Sequence, residues 1–191
     1  MNFLAHLFLS GNDEEIMVGN ILADRSRGLV KKNLSAGILK GIQLHHAIDH
    51  YTDNHPVVAL TKKRLNPAFG HYAPVITDVY YDHFLAVNWN EYSDISLEIF
   101  AKKCYAVLRK HKNLFPSSFQ FALVYMRFRN LLVSYRTIEG VKLAFDHMTS
   151  RAVNSRNLYL AIDELKKNYS LYEKEFHEFF REAIKQFKQD N

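Results

Sequence analysis

Apolar residues recur three and four positions apart along most of the chain, a spacing that predicts amphipathic helices. One such segment begins at Ser35, which suits an N-cap, and ends near Asp53, because Pro56 disfavours helical geometry at the residue before it. The same reasoning places further helices at about 13–28, 56–65, 74–87, 94–111, 117–134, 137–148, 155–168 and 170–188. We therefore predict an all-α, single-domain bundle of roughly eight to nine helices over residues 1–191.

The composition agrees with one helical core. With 191 residues, 48% of them hydrophobic, the chain can bury a full-sized core, which excludes intrinsic disorder. Glycine (7) and proline (4) are scarce, so turn-rich β architectures fit poorly. The only cysteine, Cys104, excludes an internal disulfide and a cysteine-based zinc site. We expect Cys104 to be a small buried side chain.

No segment predicts a membrane span. The longest run without a charged residue is 113–126, which is interrupted by Pro116 and falls short of the roughly 20 apolar residues that a span needs. The first residues are apolar but lack the basic leader and cleavage site of a signal peptide. We expect a cytoplasmic protein.

Charge and histidine are distributed unevenly along the chain. Residues 1–100 have a net charge of −3 and residues 101–191 a net charge of +8, and seven of the ten histidines lie within the first 83 residues. The basic half predicts a polyanionic partner, whose class net charge does not specify. Histidines and carboxylates together in the acidic half are the ingredients of a metal site.

Two predicted helices carry acidic side chains one turn apart. His45 and Asp49 are four residues apart, so they lie on one helix face and can bind one ion together. Asp78 and Asp82 are spaced in the same way among apolar neighbours, and Asp24 also follows an apolar run. Carboxylates beside buried surface are usually paired or bound to metal. Imidazole and carboxylate without thiolate suit manganese, iron, magnesium or zinc.

Simpler interpretations remain open for several of these residues. Asp24 can form an ordinary salt bridge to Arg25 or Arg27. The residues that fit a solvated helix face without a ligand role are His46, His50 and Asp53. The chain lacks a Gly-x-Gly-x-x-Gly motif, a Walker loop and a Gly-x-Ser-x-Gly motif, so dinucleotide binding, nucleoside triphosphate binding and acyl-type nucleophilic catalysis are unsupported.

Five motifs occur in order along the chain. They are Asn2-Phe3-Leu4-Ala5-His6, Gly19-Asn20-x-Leu22-Ala23-Asp24, Gly41-Ile42-x-x-His45-x-x-Ile48-Asp49 with Thr52-Asp53-Asn54, Ala73-Pro74 with Asp78-x-x-x-Asp82-His83-Phe84-Leu85, and Ser150-Arg151. In order and approximate spacing they resemble the bacterial acyl carrier protein phosphodiesterase family. The resemblance implies an all-helical enzyme, distantly similar to HD-type phosphohydrolases. It implies hydrolysis of the phosphodiester that joins 4′-phosphopantetheine to a serine of holo acyl carrier protein, with a divalent metal, typically manganese. Gln43 departs from the family pattern, which has histidine there.

The resemblance and the spacing together define a candidate site. We expect the metal ligands to come from Asp24, His45, Asp49, Asp78 and Asp82. Asp24, His6 and His83 are the acid/base candidates, and His6 and His83 are also further candidates for metal ligands. Acyl carrier proteins are acidic, so a basic surface would steer such a substrate toward the site. The steering candidates are Arg25, Arg27 and Arg151, with Lys102, Lys103, Arg127 and Arg129.

Two other functions compete with this hypothesis. One is a metal phosphohydrolase that acts on a nucleotide or an alarmone and needs no protein surface. The other is a non-enzymatic helical module that docks RNA or a protein through its basic half; its best patch contains Phe121, Tyr125, Arg127, Phe128 and Arg129. Core packing accounts more simply for those aromatic residues, and we expect no nucleic acid partner.

Overall fold

The all-α prediction is confirmed. The computed structural model describes residues 1–24, 34–149 and 160–188, and no strand occurs in these ranges. The α-helices are α1 (Phe3–Leu9), α2 (Glu14–Ala23), α3 (Ala36–Asn54), α4 (Pro56–Phe69), α5 (Ala73–Val87), α6 (Leu97–Lys110), α7 (Ser117–Phe128), α8 (Leu131–Ser134), α9 (Ile138–Thr149), α10 (Leu160–Lys167) and α11 (Tyr169–Phe187). None of the described helices is long and apolar enough to cross a membrane.

The predicted boundaries of α3 are confirmed to within a residue. Ser35 caps the helix, because its hydroxyl accepts a hydrogen bond from the N–H of Ile38. At the other end His55 is extended, as expected for a residue before proline, and Pro56 begins α4.

The helices differ from the predicted pattern in three other places. The sequence does not indicate α1, because its seven residues are almost uniformly apolar and show no helical period. The predicted helix 117–134 is broken: Asn130 has a left-handed φ of 48°, which separates α7 from α8. The predicted helix 13–28 ends at Ala23, and its residues 25–28 lie outside the described residues, as do 155–159 of the predicted helix 155–168.

The core is rich in aromatic side chains. Trp89, Tyr80 and Tyr81 are at most 1% exposed, as are the buried aromatic residues of α11, and Cys104 is buried as predicted. Burial raises the pKa of the Cys104 thiol to about 12. The assignment of the α7 aromatic residues to the core is wrong for Phe121 and Phe128, which are 78% and 84% exposed.

Helices α2 and α3 touch through their backbones. A Cβ atom on Gly19 would lie 2.1 Å from the carbonyl oxygen of Ile38, and one on Gly41 would lie 2.2 Å from the carbonyl oxygen of Ile16. Neither position accepts a side chain unless the helices separate. This close approach places the residue after Gly19, Asn20, beside the residue one turn after Gly41, His45.

We predict that Gly19→Ala and Gly41→Ala each lower the free energy of unfolding by about 1–3 kcal/mol, since the added methyl group meets rigid backbone. Gly37→Ala is the comparison on α3, because its Cβ would meet side-chain atoms of Glu15, the nearest at 2.2 Å and the Cβ at 2.7 Å, and no backbone atom. Urea denaturation measures the three variants. Equal effects at Gly37 and Gly41 would contradict the assignment of this contact.

Candidate metal centre

Side chains from two helices meet around one point. His6 from α1 and His45 and Asp49 from α3 each offer a ligand atom, and these atoms lie within 4.8 Å of one another. Nε2 of His6 is 3.2 Å from Oδ1 of Asp49, and Nε2 of His45 is 3.1 Å from Oδ2 of the same carboxylate. The two imidazole rings stack with 4.4 Å between their centroids. The predicted pair of His45 and Asp49 therefore gains His6 as a third member.

Asn20 from α2 orients both imidazoles. Its Oδ1 lies 2.8 Å from Nδ1 of His6 and 3.2 Å from Nδ1 of His45. The amide group cannot be reversed, because its Nδ2 donates to the carbonyl oxygen of His6 and to the hydroxyl of Ser10. Oδ1 therefore accepts from both rings, and Asn20 is fully buried while doing so. Both rings are held with Nδ1 protonated.

This proton arrangement fits a cation at the centre of the cluster. A neutral ring with its proton on Nδ1 has a lone pair on Nε2, and here both lone pairs face carboxylate oxygens, which also lack protons. Such a set needs a proton or a positive ion among its members. Two imidazole nitrogens and a carboxylate without thiolate suit a divalent metal of the manganese, iron or zinc type. The hydrogen bonds from the far side of each ring are those that orient metal-bound histidines.

The electrostatics of the cluster agree with its donor set. Burial opposes ionisation of Asp49, but the hydrogen bonds that Nε2–H of a protonated His45 or His6 donates outweigh it and hold the pKa of Asp49 well below its usual range when no metal is bound. Burial lowers the pKa of His6 despite its contact with Asp49. Asp49 is therefore charged, and the lowered pKa of His6 favours its neutral form, whose Nε2 lone pair can bind an ion.

The cluster opens into a cavity of about 740 Å³. This volume falls in the range of small-molecule sites. Its polar lining, besides the cluster and Asn20, includes Asp24, Asp53, Lys62 and Asp78. Part of the opposite wall is apolar and comes from α7, with Phe119, Ala122 and Met126. A substrate in the cavity would reach the cluster and contact this wall.

Asp82 is placed as an anchor for α1. Its carboxylate accepts hydrogen bonds from the N–H of Leu4 at 2.8 Å and from the N–H of Ala5 at 3.2 Å, where a negative charge is favourable at the start of a helix. Burial raises the pKa of Asp82 to about 7, although these two N–H groups favour the carboxylate. Asp82 lies outside the three-residue cluster among the described residues and positions the helix that carries His6. Its predicted role as a metal ligand stays a prediction.

The structure places the remaining carboxylate candidates on the wall of the cavity. Asp78 lies 2.9 Å from the terminal ammonium of Met1 and is paired with it. Burial lowers the pKa of that ammonium, but Asp78 outweighs this effect and raises it above its usual value. Asp24 is exposed and lines the cavity. Neither residue belongs to the three-residue cluster within the described ranges, so their metal-binding roles stay predictions.

His83 is built into the core rather than the cavity wall. Its Nδ1–H donates to the carbonyl oxygen of Tyr135 at 2.7 Å, and its Nε2 lies 3.0 Å from the hydroxyl of Tyr169. Burial lowers its pKa. Both ring nitrogens are thus engaged away from His6, His45 and Asp49, and a catalytic role for His83 stays a prediction.

The candidate surface residues fall into two groups. Arg25, Arg27 and Arg151 lie outside the described residues. Lys102, Arg127 and Arg129 are exposed, and Lys103 donates a hydrogen bond to the side chain of Asn12. The residues predicted as a solvated face, His46, His50 and Asp53, are exposed as expected, and so is Gln43.

The sequence interpretation gave no role to Asn20. A signal was present, since Asn20 is the one strongly polar side chain within the apolar run 16–23. A buried amide needs hydrogen-bonding partners. The spacing along the chain did not show that these partners are histidines from α1 and α3.

The fold and the site together define an all-helical protein with a histidine and aspartate cluster inside a cavity. The sequence model of the family described as acyl carrier protein phosphodiesterase matches residues 1–183, and the chain belongs to this family. No solved structure matches the chain, so the likeness to HD-type folds stays a prediction.

Curated relatives of this family match along almost their whole length. A protein of Escherichia coli described as acyl carrier protein phosphodiesterase is 32% identical, with 97% of each chain covered. A protein of Serratia proteamaculans with the same description is 30% identical over 98% of each chain. One of Photorhabdus laumondii is 28% identical over 94% of this chain and 91% of the relative. The family name supports a hydrolase of the phosphodiesterase type.

We predict that Asn20→Ala lowers the affinity for Mn²⁺ by about 10- to 100-fold, because the two imidazoles lose the oxygen that orients them. Isothermal titration calorimetry on the folded protein measures this. Asn88→Ala is the control, since Asn88 bonds Glu173 and the carbonyl of Phe84 and not the cluster. Equal Mn²⁺ affinity in the two variants would sink the proposed role of Asn20.

The raised pKa of Asp82 leads to a second prediction, which concerns how the stability of the protein depends on pH. Its pKa is about 7 in the folded protein against 3.8 as the ordinary value, so the unfolded chain releases this proton first. The contribution of Asp82 to stability is therefore full below pH 4 and is lost as the pH rises to 7. In EDTA, wild type should lose roughly 1–3 kcal/mol of unfolding free energy relative to Asp82→Asn between pH 5 and pH 8. A difference that does not change with pH would contradict this assignment.

Proposed function

We propose that this protein hydrolyses the phosphodiester between 4′-phosphopantetheine and the serine of holo acyl carrier protein, using a divalent metal, most suitably manganese. The observation that carries the proposal is the cluster of His6, His45 and Asp49 with Asn20 behind it, at the wall of a cavity. Family membership supports the reaction class. The donor set supports the metal, because it has two oriented imidazoles and a charged carboxylate.

In this proposal His6, His45 and Asp49 hold the ion. A divalent cation supplies a lowered pKa for a water molecule and neutralises charge on a phosphoryl oxygen. Asn20 keeps the Nε2 atoms of both imidazoles turned toward Asp49, where an ion would bind, and Asp82 keeps α1, and with it His6, in place.

Proton transfer to the leaving serine oxygen needs a group that reaches the cavity. Asp24 lines the cavity and is exposed to solvent, so it is our choice for this acid. Asp78 lines the cavity too, but its pairing with the Met1 ammonium occupies one of its oxygens.

The direct test incubates the purified protein with holo acyl carrier protein and Mn²⁺, with an EDTA control, and follows the mass of the carrier. We expect loss of the phosphopantetheine group only when the metal is present. His45→Ala and Asp49→Asn should abolish the reaction while helical circular dichroism persists. His46→Ala is the matched control, because the adjacent histidine is exposed and outside the cluster.

Two results would contradict the proposal. Turnover at the same rate in EDTA would exclude the metal. If the carrier stays unchanged in a preparation that binds Mn²⁺ and hydrolyses nucleotides, the substrate of this site is a small phosphate ester and not the carrier protein.

A further inference from the structure

Helix α7 presents an apolar face to solvent. Phe121, Val124 and Phe128 are 78%, 69% and 84% exposed, which makes them the most exposed large apolar side chains among the described residues. Their spacing of three and four residues places them on one side of the helix, over about 10 Å. The opposite side is buried through Phe119, Leu123 and Met126. Contiguous apolar side chains exposed in this way are typical of binding surfaces.

The charge around this face is positive. No Asp or Glu occurs in residues 99–138, a segment that contains eight Lys and Arg residues. Two of these, Arg127 and Arg129, lie beside Phe128, are exposed, and form no ion pair with another described residue. The face therefore combines an apolar stripe with a cationic end, the complement of an amphipathic helix with acidic flanks.

The same helix forms a wall of the cavity. Ser118, Phe119, Ala122 and Met126 line the cavity that holds the His6, His45 and Asp49 cluster. Phe121 and Ala122 are neighbours in the chain, one outside and one toward the cavity. A protein bound on the exposed face would thus lie next to the cavity.

We propose that the face formed by Phe121, Val124 and Phe128, with Arg127 and Arg129 at its end, docks an acidic amphipathic helix of the substrate acyl carrier protein. This inference rests on the proposed function and deepens it, because it separates recognition of the protein from the chemistry at the cluster.

The distribution of charge argues against two other occupants of this face, a second copy of this chain and a nucleic acid. A two-fold contact between copies of this chain would bring the same patch onto itself, so its arginines would face each other. A nucleic acid needs cations along its path, yet residues 113–126 contain none.

The test compares Phe121→Ser/Phe128→Ser with Leu60→Ser, a control on α4 that is 54% exposed and outside the cavity lining. All these side chains are exposed, so unfolding temperatures should match wild type. We expect KM for holo acyl carrier protein to rise about tenfold or more in the double variant with kcat nearly unchanged. Hydrolysis of bis(p-nitrophenyl) phosphate should be unaffected, because this ester needs no docking.

The charged end of the face has its own variant. Arg127→Glu/Arg129→Glu should raise KM for the carrier and flatten the salt dependence of kcat/KM. Calorimetric titration of metal-free protein with the carrier measures docking without turnover. Binding that Phe121→Ser/Phe128→Ser removes would support the docking face even if wild type failed to hydrolyse the carrier, which would count against the proposed function alone.

Four outcomes would overturn the docking proposal. The first is an unchanged KM in Phe121→Ser/Phe128→Ser while wild type remains active, and the second is no binding of the carrier to wild type. The third is a wild-type dimer that this variant dissociates. The fourth is a single-stranded RNA that wild type binds more tightly than the carrier and that the variant no longer binds.

Discussion

One oxygen atom organises the candidate site. Oδ1 of Asn20 accepts from both His6 and His45, so the two rings share one orientation and one proton arrangement. Asn20 is fully buried, so an unpaired N–H or carbonyl in its amide would cost about 1–3 kcal/mol. Because Asn20 binds Nδ1 of each ring, each Nε2 points toward Asp49. The spacing of the histidines along the sequence does not determine this orientation.

Two contacts of the surrounding fold hold that oxygen and its partners in place. The contact at Gly19 and Gly41 sets the distance between α2 and α3, and therefore between Asn20 and His45. Asp82 on α5 fixes the start of α1, two residues before His6. The Asp82 contact joins segments 77 and 78 residues apart, and the glycine contact joins two consecutive helices. The cluster therefore depends on the packing of α1, α2, α3 and α5 and not on any one helix.

Local pattern predicts much of the fold but only part of the site. Capping by Ser35 and the effect of Pro56 define α3 from its own sequence, and four-residue spacing predicts the pair of His45 and Asp49. The role of Asp82 could not be predicted, because a buried carboxylate among apolar residues has the same pattern whether it binds metal or anchors a helix. His6 came from the family resemblance, since α1 is too short and apolar to show a period.

The exposed face of α7 is a second feature that the sequence pattern does not predict. Phenylalanine is usually a core residue, so the sequence alone favours burial of Phe121 and Phe128. They are exposed because α7 packs on the protein through its other side, with Phe119 and Met126. Exposure of such side chains lowers solubility unless a partner covers them. A helix that lines the cavity with one side and carries this face on the other links partner binding to the place where the chemistry occurs. This arrangement would let the enzyme select a protein substrate by its surface while the cluster acts on a small chemical group.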